Sequence, residues 1–192
     1  MRRIVANFFF ISLDGVVESP DQWHFPYFDE QMGAAIGAGI AASDALLMGR
    51  QNYEEWAAYW PTSADEPFAS QMNGMRKYVV SSTLTSVSWS NSSLVEGDVA
   101  ESLRRLKAEP GRAIAMSGSG TLANWLMRNG LLDELNLLVH PIVVGSGRRL
   151  FDEGRPPVRL ELVSAESFGS GVQHLRYHPL PVEAGEGVLF GG

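Results

Sequence analysis

Residues 115–126 read AMSGSGTLANWL, and within them GSGTLA at 118–123 satisfies G-x-G-x-x-A, the glycine pattern of a strand-to-helix turn that cradles a pyrophosphate. AIAM at 113–116 reads as the strand, and residues 122–128 as a helix closed by Asn129 and Gly130. Such a turn puts bare N–H groups at the positive pole of the helix, which attracts an anion. Two glycines also make a tight turn with no ligand, so the motif alone leaves both readings open. Its position is more decisive. A Rossmann fingerprint follows the first strand, with an acidic residue after the second, roughly 20 residues on. Here the motif comes late, on the fourth or fifth strand, and the nearest downstream acids, Asp133 and Glu134, precede the next strand. The Rossmann assignment is rejected, while the phosphate turn survives.

Working outward, strands and helices alternate. IVANFFFI at 4–11 lacks clean alternation, as expected of a strand buried on both faces. Residues 13–27, LDGVVESPDQWHFPY, form a long loop, and Asp29 opens a helix through residue 42 that Ser43 and Asp44 end. ALLM at 45–48 leads through Gly49 and Arg50 to a helix start at 52–60, with Asn52 available as its cap. Residues 61–74 form a polar connection with room for a helical turn. KYVVS at 77–81 is a strand, 87–95 an irregular one, and Asp98 caps a helix through residue 108. Residues 135–140 form a strand ended by Pro141. The β-like runs 158–168 and 172–177, separated by Gly169-Ser170-Gly171, read as an antiparallel hairpin. The expected fold is therefore one α/β domain over residues 1–179, with a mostly parallel sheet flanked by helices. Residues 180–192 form a tail whose Val188-Leu189-Phe190 frays or docks on a partner.

Bulk properties narrow the function classes. Of the 192 residues 45% are apolar and 19% charged, which describes a folding globular chain and not a disordered one. A net charge of −7 without basic runs opposes a nucleic-acid partner. The absence of cysteine removes disulfides, thiolate metal sites and cysteine nucleophiles, and suits a reducing cytoplasm. Arg2 and Arg3 before the first apolar run imitate a signal peptide, but the run is short and leads into SLDG without a cleavage pattern. No apolar run has the length to span a bilayer. His174 and His178 lack an acidic third ligand and read as structural, so no metal is expected.

In a mostly parallel sheet the loops after the strands gather at one edge. They supply the acidic loop 13–27, the Gly49-Arg50 turn, the hydroxyls of Ser81, Ser82 and Thr83, and the 118–121 turn, which together suit a nucleotide phosphate. SLDG at 12–15, LLMGRQNYE at 46–54, YVVSS at 78–82, MSGSGTL at 116–122 and DELNLLVHPIVVGSG at 133–147 resemble the dihydrofolate reductase-like superfamily. The resemblance is to the branch holding the C-terminal reductase domain of the bacterial riboflavin-biosynthesis deaminase-reductase. It covers residues 3–179 in order.

The resemblance implies an NADPH-dependent reductase of a pterin-like or pyrimidine-derived heterocycle, on a mixed eight-stranded sheet, commonly a homodimer. By it, Gly49, Arg50 and Asn52 contact cofactor phosphates, and Ser81 and Ser82 lie near the adenosine 2′-phosphate. Gly118, Ser119, Gly120, Thr121 and Leu122 form the pyrophosphate loop. Asp14 and Gly15 lie in a flexible loop over the nicotinamide, Trp23 borders the substrate, and Asp14 and Asp29 are the candidate proton donors. One departure concerns the substrate: a glutamate that contacts it in the riboflavin domain is replaced here by Met116. With 192 residues and no cysteine, the sequence reads as the reductase half alone. The competing class is a nucleotide-binding or structural protein that keeps the fold without turnover.

Overall fold

The computed structural model describes residues 1–151 and 156–181, so most of the expected tail, including Val188, Leu189 and Phe190, lies outside the described residues. The elements in chain order are β1 (Ile4–Ser12), α1 (Glu30–Ala41), β2 (Ser43–Gly49), α2 (Arg50–Tyr59), α3 (Phe68–Gly74) and β3 (Arg76–Val80). They continue with β4 (Ser92–Leu94), α4 (Val99–Ala108), β5 (Ala113–Met116), α5 (Gly120–Arg128), β6 (Glu134–His140), β7 (Leu160–Ser167) and β8 (Gln173–Pro179). The eight strands form one sheet in the order β4-β3-β2-β5-β1-β6-β8-β7. All pairings from β4 to β6 are parallel, and β8 and β7 add the antiparallel edge expected of the hairpin.

The central strands are buried on both faces, which explains their near-continuous apolar runs. On β2, Ala45 and Leu47 join one core with Leu103, Leu126 and Leu135, while Leu46 and Met48 join another with Tyr53, Met72 and Trp89. The irregular pattern of β1 has a further cause. A register shift against β6 falls between Ala6 and Phe9, so Ile4 and Ala6, then Phe9 and Ile11, all face the same core. Phe10 is thereby turned to a third cluster, with Met32, Leu138 and Phe168 beside α1.

Several sequence boundaries need correction. The irregular strand expected at 87–95 shrinks to β4, because Ser88 and Trp89 donate their N–H groups to the Tyr53 hydroxyl at 2.9 Å each instead of to a neighbouring strand. Asn52 is not the α2 cap: the helix begins at Arg50 behind Gly49. Likewise α5 begins at Gly120, two residues earlier than its apolar pattern indicates, so the glycine turn is itself the helix N-terminus. Among the described residues no helix is long and apolar enough to cross a membrane, and no group of three potential ligands could hold a metal.

Candidate functional site

Strands β2 and β5 are neighbours, yet β2 leads away to β3 while β5 leads to β6 on the far side of β1. Their helices leave on opposite faces, α2 with the Tyr53 core and α5 with the Leu126 core. Such a switch point opens a crevice at the strand ends. A cleft of about 1400 Å³ lies there, lined by residues of the turns after β1, β2, β3 and β5.

The N-termini of α2 and α5 converge on this cleft. Ser119 ties them, its Oγ accepting the Gly49 N–H at 3.0 Å. Gly118 and Ser119 both adopt left-handed backbone, φ +66° and +51°, the conformation that lets β5 turn into α5. A Cβ on Gly118 would overlap Asn52 Oδ1. The Asn52 carboxamide is packed against the turn, and its buried Nδ2 has no hydrogen-bond partner among the described residues. A buried donor without an acceptor, between two helix N-termini, fits an anionic group such as a pyrophosphate.

At the outer end, Ser81 Oγ accepts N–H groups of Thr83 and Leu84 at 3.1 and 2.9 Å and so shapes its own turn, leaving Ser82 exposed beside it. Arg50 lines the cleft with its guanidinium paired to Glu54 at 2.8 Å, an exposed i,i+4 pair that a phosphate can replace. All ten cofactor positions expected from the sequence, Gly49, Arg50, Asn52, Ser81, Ser82, Gly118, Ser119, Gly120, Thr121 and Leu122, line this one cleft.

Asp14, Gly15, Trp23 and Asp29 do not line it. The loop expected to be flexible is fastened. Asp14 accepts the Ser12 hydroxyl at 2.6 Å and the N–H groups of Val144 and Gly145 at 3.0 and 2.9 Å. These donors, Ser12 foremost, hold its carboxyl down to about 2. Gly15 O accepts from Leu150 N, and Val17 N donates to Arg148 O, stitching the loop to residues 148–150. Asp29 caps α1 by accepting the Met32 N–H at 2.8 Å, with Ser170 N also donating, and these contacts lower its pKa. Both carboxylates serve as anchors through these contacts. Trp23 is buried, its Nε1 donating to Glu18 O at 3.1 Å. Met116 points into the core, fully buried.

The sequence reading missed four contributors. Glu18 and Arg148 line the cleft from its other wall, where Glu18 accepts Arg148 N–H at 2.7 Å and the Arg148 guanidinium reaches Gln51 at 3.2 Å across to α2. No local signal announces contacts between residues 130 apart in the chain. His24 and His140, buried beside Phe10, carry no spacing motif either.

The family model for the RibD C-terminal domain matches residues 3–174. An uncharacterized Bacillus subtilis protein, YyaP, is 28% identical over 182 residues, covering 92% of this chain and 95% of its own length. A crystal structure of a putative riboflavin biosynthesis protein from Shewanella superposes with a TM-score of 0.75 at 23% identity, covering 94% of this chain and all of that one. Dihydrofolate reductase from Enterococcus faecalis, solved with NADP(H), superposes with a TM-score of 0.61 at 15% identity, covering 92% and 96% of the two chains. The sheet order and these superpositions agree on a dihydrofolate reductase-like fold.

Proposed function

The chain belongs to the RibD C-terminal domain family, and from that premise we propose that it is an NADPH-dependent reductase of a pterin-like or pyrimidine-derived heterocycle. The observation that carries the proposal is the unpartnered Asn52 Nδ2 set against Gly118 where α2 and α5 converge. In this reading the α5 turn and Asn52 hold the pyrophosphate, and Arg50 and Ser82 hold the 2′-phosphate. Bound nicotinamide would supply the hydride. Asp14 and Asp29 keep their anchoring contacts, and the proton comes from solvent.

Calorimetric titration tests the reading: saturable NADPH binding below millimolar is expected, and its absence overturns it. Arg50→Ala should weaken NADPH by about tenfold, the scale of one charge-assisted contact, and NADH much less. Equal losses for both cofactors would remove Arg50 from the 2′-phosphate. Cofactor binding without NADPH oxidation on dihydrofolate, dihydropteridines or the ribosylaminopyrimidinone would favour a non-catalytic nucleotide binder.

The reading extends to a homodimer formed through the sheet edge at β7, where Leu162 and Val163 are exposed. Light scattering should give twice the chain mass, and Leu162→Lys should return it to a monomer.

A further inference from the structure

The bulge that rotates Phe10 away from the main core gives it two neighbours of different kinds. Phe10 lines the cleft, and it is also stacked by the His24 ring, with centroids 4.5 Å apart and planes 21° from parallel. Behind this stack sits His140, fully buried, edge-on to Phe10, Trp23 and Tyr27 at 5.8, 5.3 and 5.7 Å.

Both imidazoles carry a buried ring nitrogen without a hydrogen-bond partner among the described residues, Nδ1 of His24 and Nε2 of His140. An orphaned buried polar atom is costly, and two in rings 6.1 Å apart call for a partner that the described residues do not supply. His140 Nδ1 lies 2.8 Å from the Leu138 carbonyl oxygen, which can only accept. The proton therefore sits on Nδ1, and Nε2 is left as an unprotonated, unpartnered acceptor. Burial lowers the pKa of both rings, which favours their neutral form. Among the described residues His24 makes no side-chain hydrogen bond; its ring is held by the stacked Phe10, by Phe25 tilted beside it at 4.2 Å, and by Phe28 and His140 edge-on. A flat ring held by ring contacts without a hydrogen bond is exchangeable for another flat ring.

We propose, resting on the reductase reading above, that the His24 ring occupies the seat of the substrate ring, and that His140 Nε2 accepts a hydrogen bond from a ring N–H of that substrate. The ligand class is a planar, uncharged heterocycle with an N–H beside a carbonyl, as on a pyrimidinone edge. The heterocycle displaces His24, stacks on Phe10 and pairs the orphaned Nε2. A ring methylated at that nitrogen leaves Nε2 unpaired and is rejected.

The probes are diaminouracil and its ring-N-dimethylated counterpart, titrated calorimetrically into NADPH-saturated protein. His24→Ala should bind diaminouracil about tenfold more tightly than the parent, because no ring has to be displaced. His140→Phe should lose a roughly tenfold preference for the N–H form, the weight of one buried hydrogen bond. NADPH affinity should hold within about twofold in both, which reports an intact cleft. A His24→Ala protein that keeps NADPH yet binds diaminouracil no better than the parent overturns the proposal, as does a parent that prefers the dimethylated ring. Should either variant fail to fold, ¹⁵N-histidine spectra of the parent decide: an upfield move of the His140 Nε2 resonance with diaminouracil supports the proposal, and an unmoved one refutes it. Failure of the parent to bind NADPH would strike the cofactor reading alone, and the uracil titrations would then be read on the cofactor-free protein.

Discussion

Gly118→Ala should fold and lose between about thirty- and a hundredfold in NADPH affinity. Two effects act together. The native φ of +66° is left-handed, where an added Cβ costs about 1–2 kcal/mol. That Cβ would also overlap Asn52 Oδ1, so the carboxamide must swing away and take its unpartnered donor with it. A hydrogen bond to a charged group contributes roughly 1.5–3 kcal/mol, and its loss carries most of the expected drop. Gly49→Ala is the matched control. Gly49 has φ −80°, open to any residue, and its Cβ would meet the movable Ser119 Oγ at 3.2 Å, so only a few-fold loss is expected. Calorimetry on both variants, with urea unfolding to report stability, makes the comparison. NADPH affinity within threefold of the parent for Gly118→Ala would remove the pyrophosphate from the α5 turn.

The difference between these two glycines shows what the sequence could and could not convey. That 118–123 makes a phosphate-type turn is local information: glycine at a left-handed position, a strand before it and a helix after it. That Asn52 serves the cleft and not the helix cap is not local, because the α2 start is set by Ser119 Oγ taking the Gly49 N–H across 70 residues. The same limit applies to β1. Its broken alternation signals burial on both faces, but the bulge that sends Phe10 toward His24 exists only against β6. Asp14 before Gly15 reads equally as turn former or acid until Val144 and Gly145 arrive from across the fold to donate to it. The residues of the cleft were legible because they sit at strand ends. The His24–His140 cluster was not, since His140 is marked only as the last strand residue before a proline, and its partners come from β1 and residues 23–27.

Stability offers the second large effect, at Lys77. This lysine on β3 is fully buried, with its ammonium donating to the carbonyls of Asn73, Met75 and Ser90 at 3.0, 2.9 and 3.1 Å and standing 4.1 Å above the Trp89 ring. It fastens the end of α3 and the loop before β4 to the strand that delivers Ser81 and Ser82 to the cleft. Lys77→Met keeps the volume but strips three carbonyls of their donor, and should cost about 1–3 kcal/mol. Lys77→Ala adds a cavity and should cost about 3–5 kcal/mol in total. Burial pushes the ammonium from 10.5 down to about 8. Between those values the unfolded chain holds the proton more firmly than the folded one, so the contribution of this group to stability rises with pH across that window. Urea unfolding at about pH 7 and about pH 10 should therefore show the parent gaining stability relative to Lys77→Met. A Lys77→Met protein as stable as the parent at neutral pH would mean that the carbonyl cage and the Trp89 face do no more than offset the cost of burying the charge.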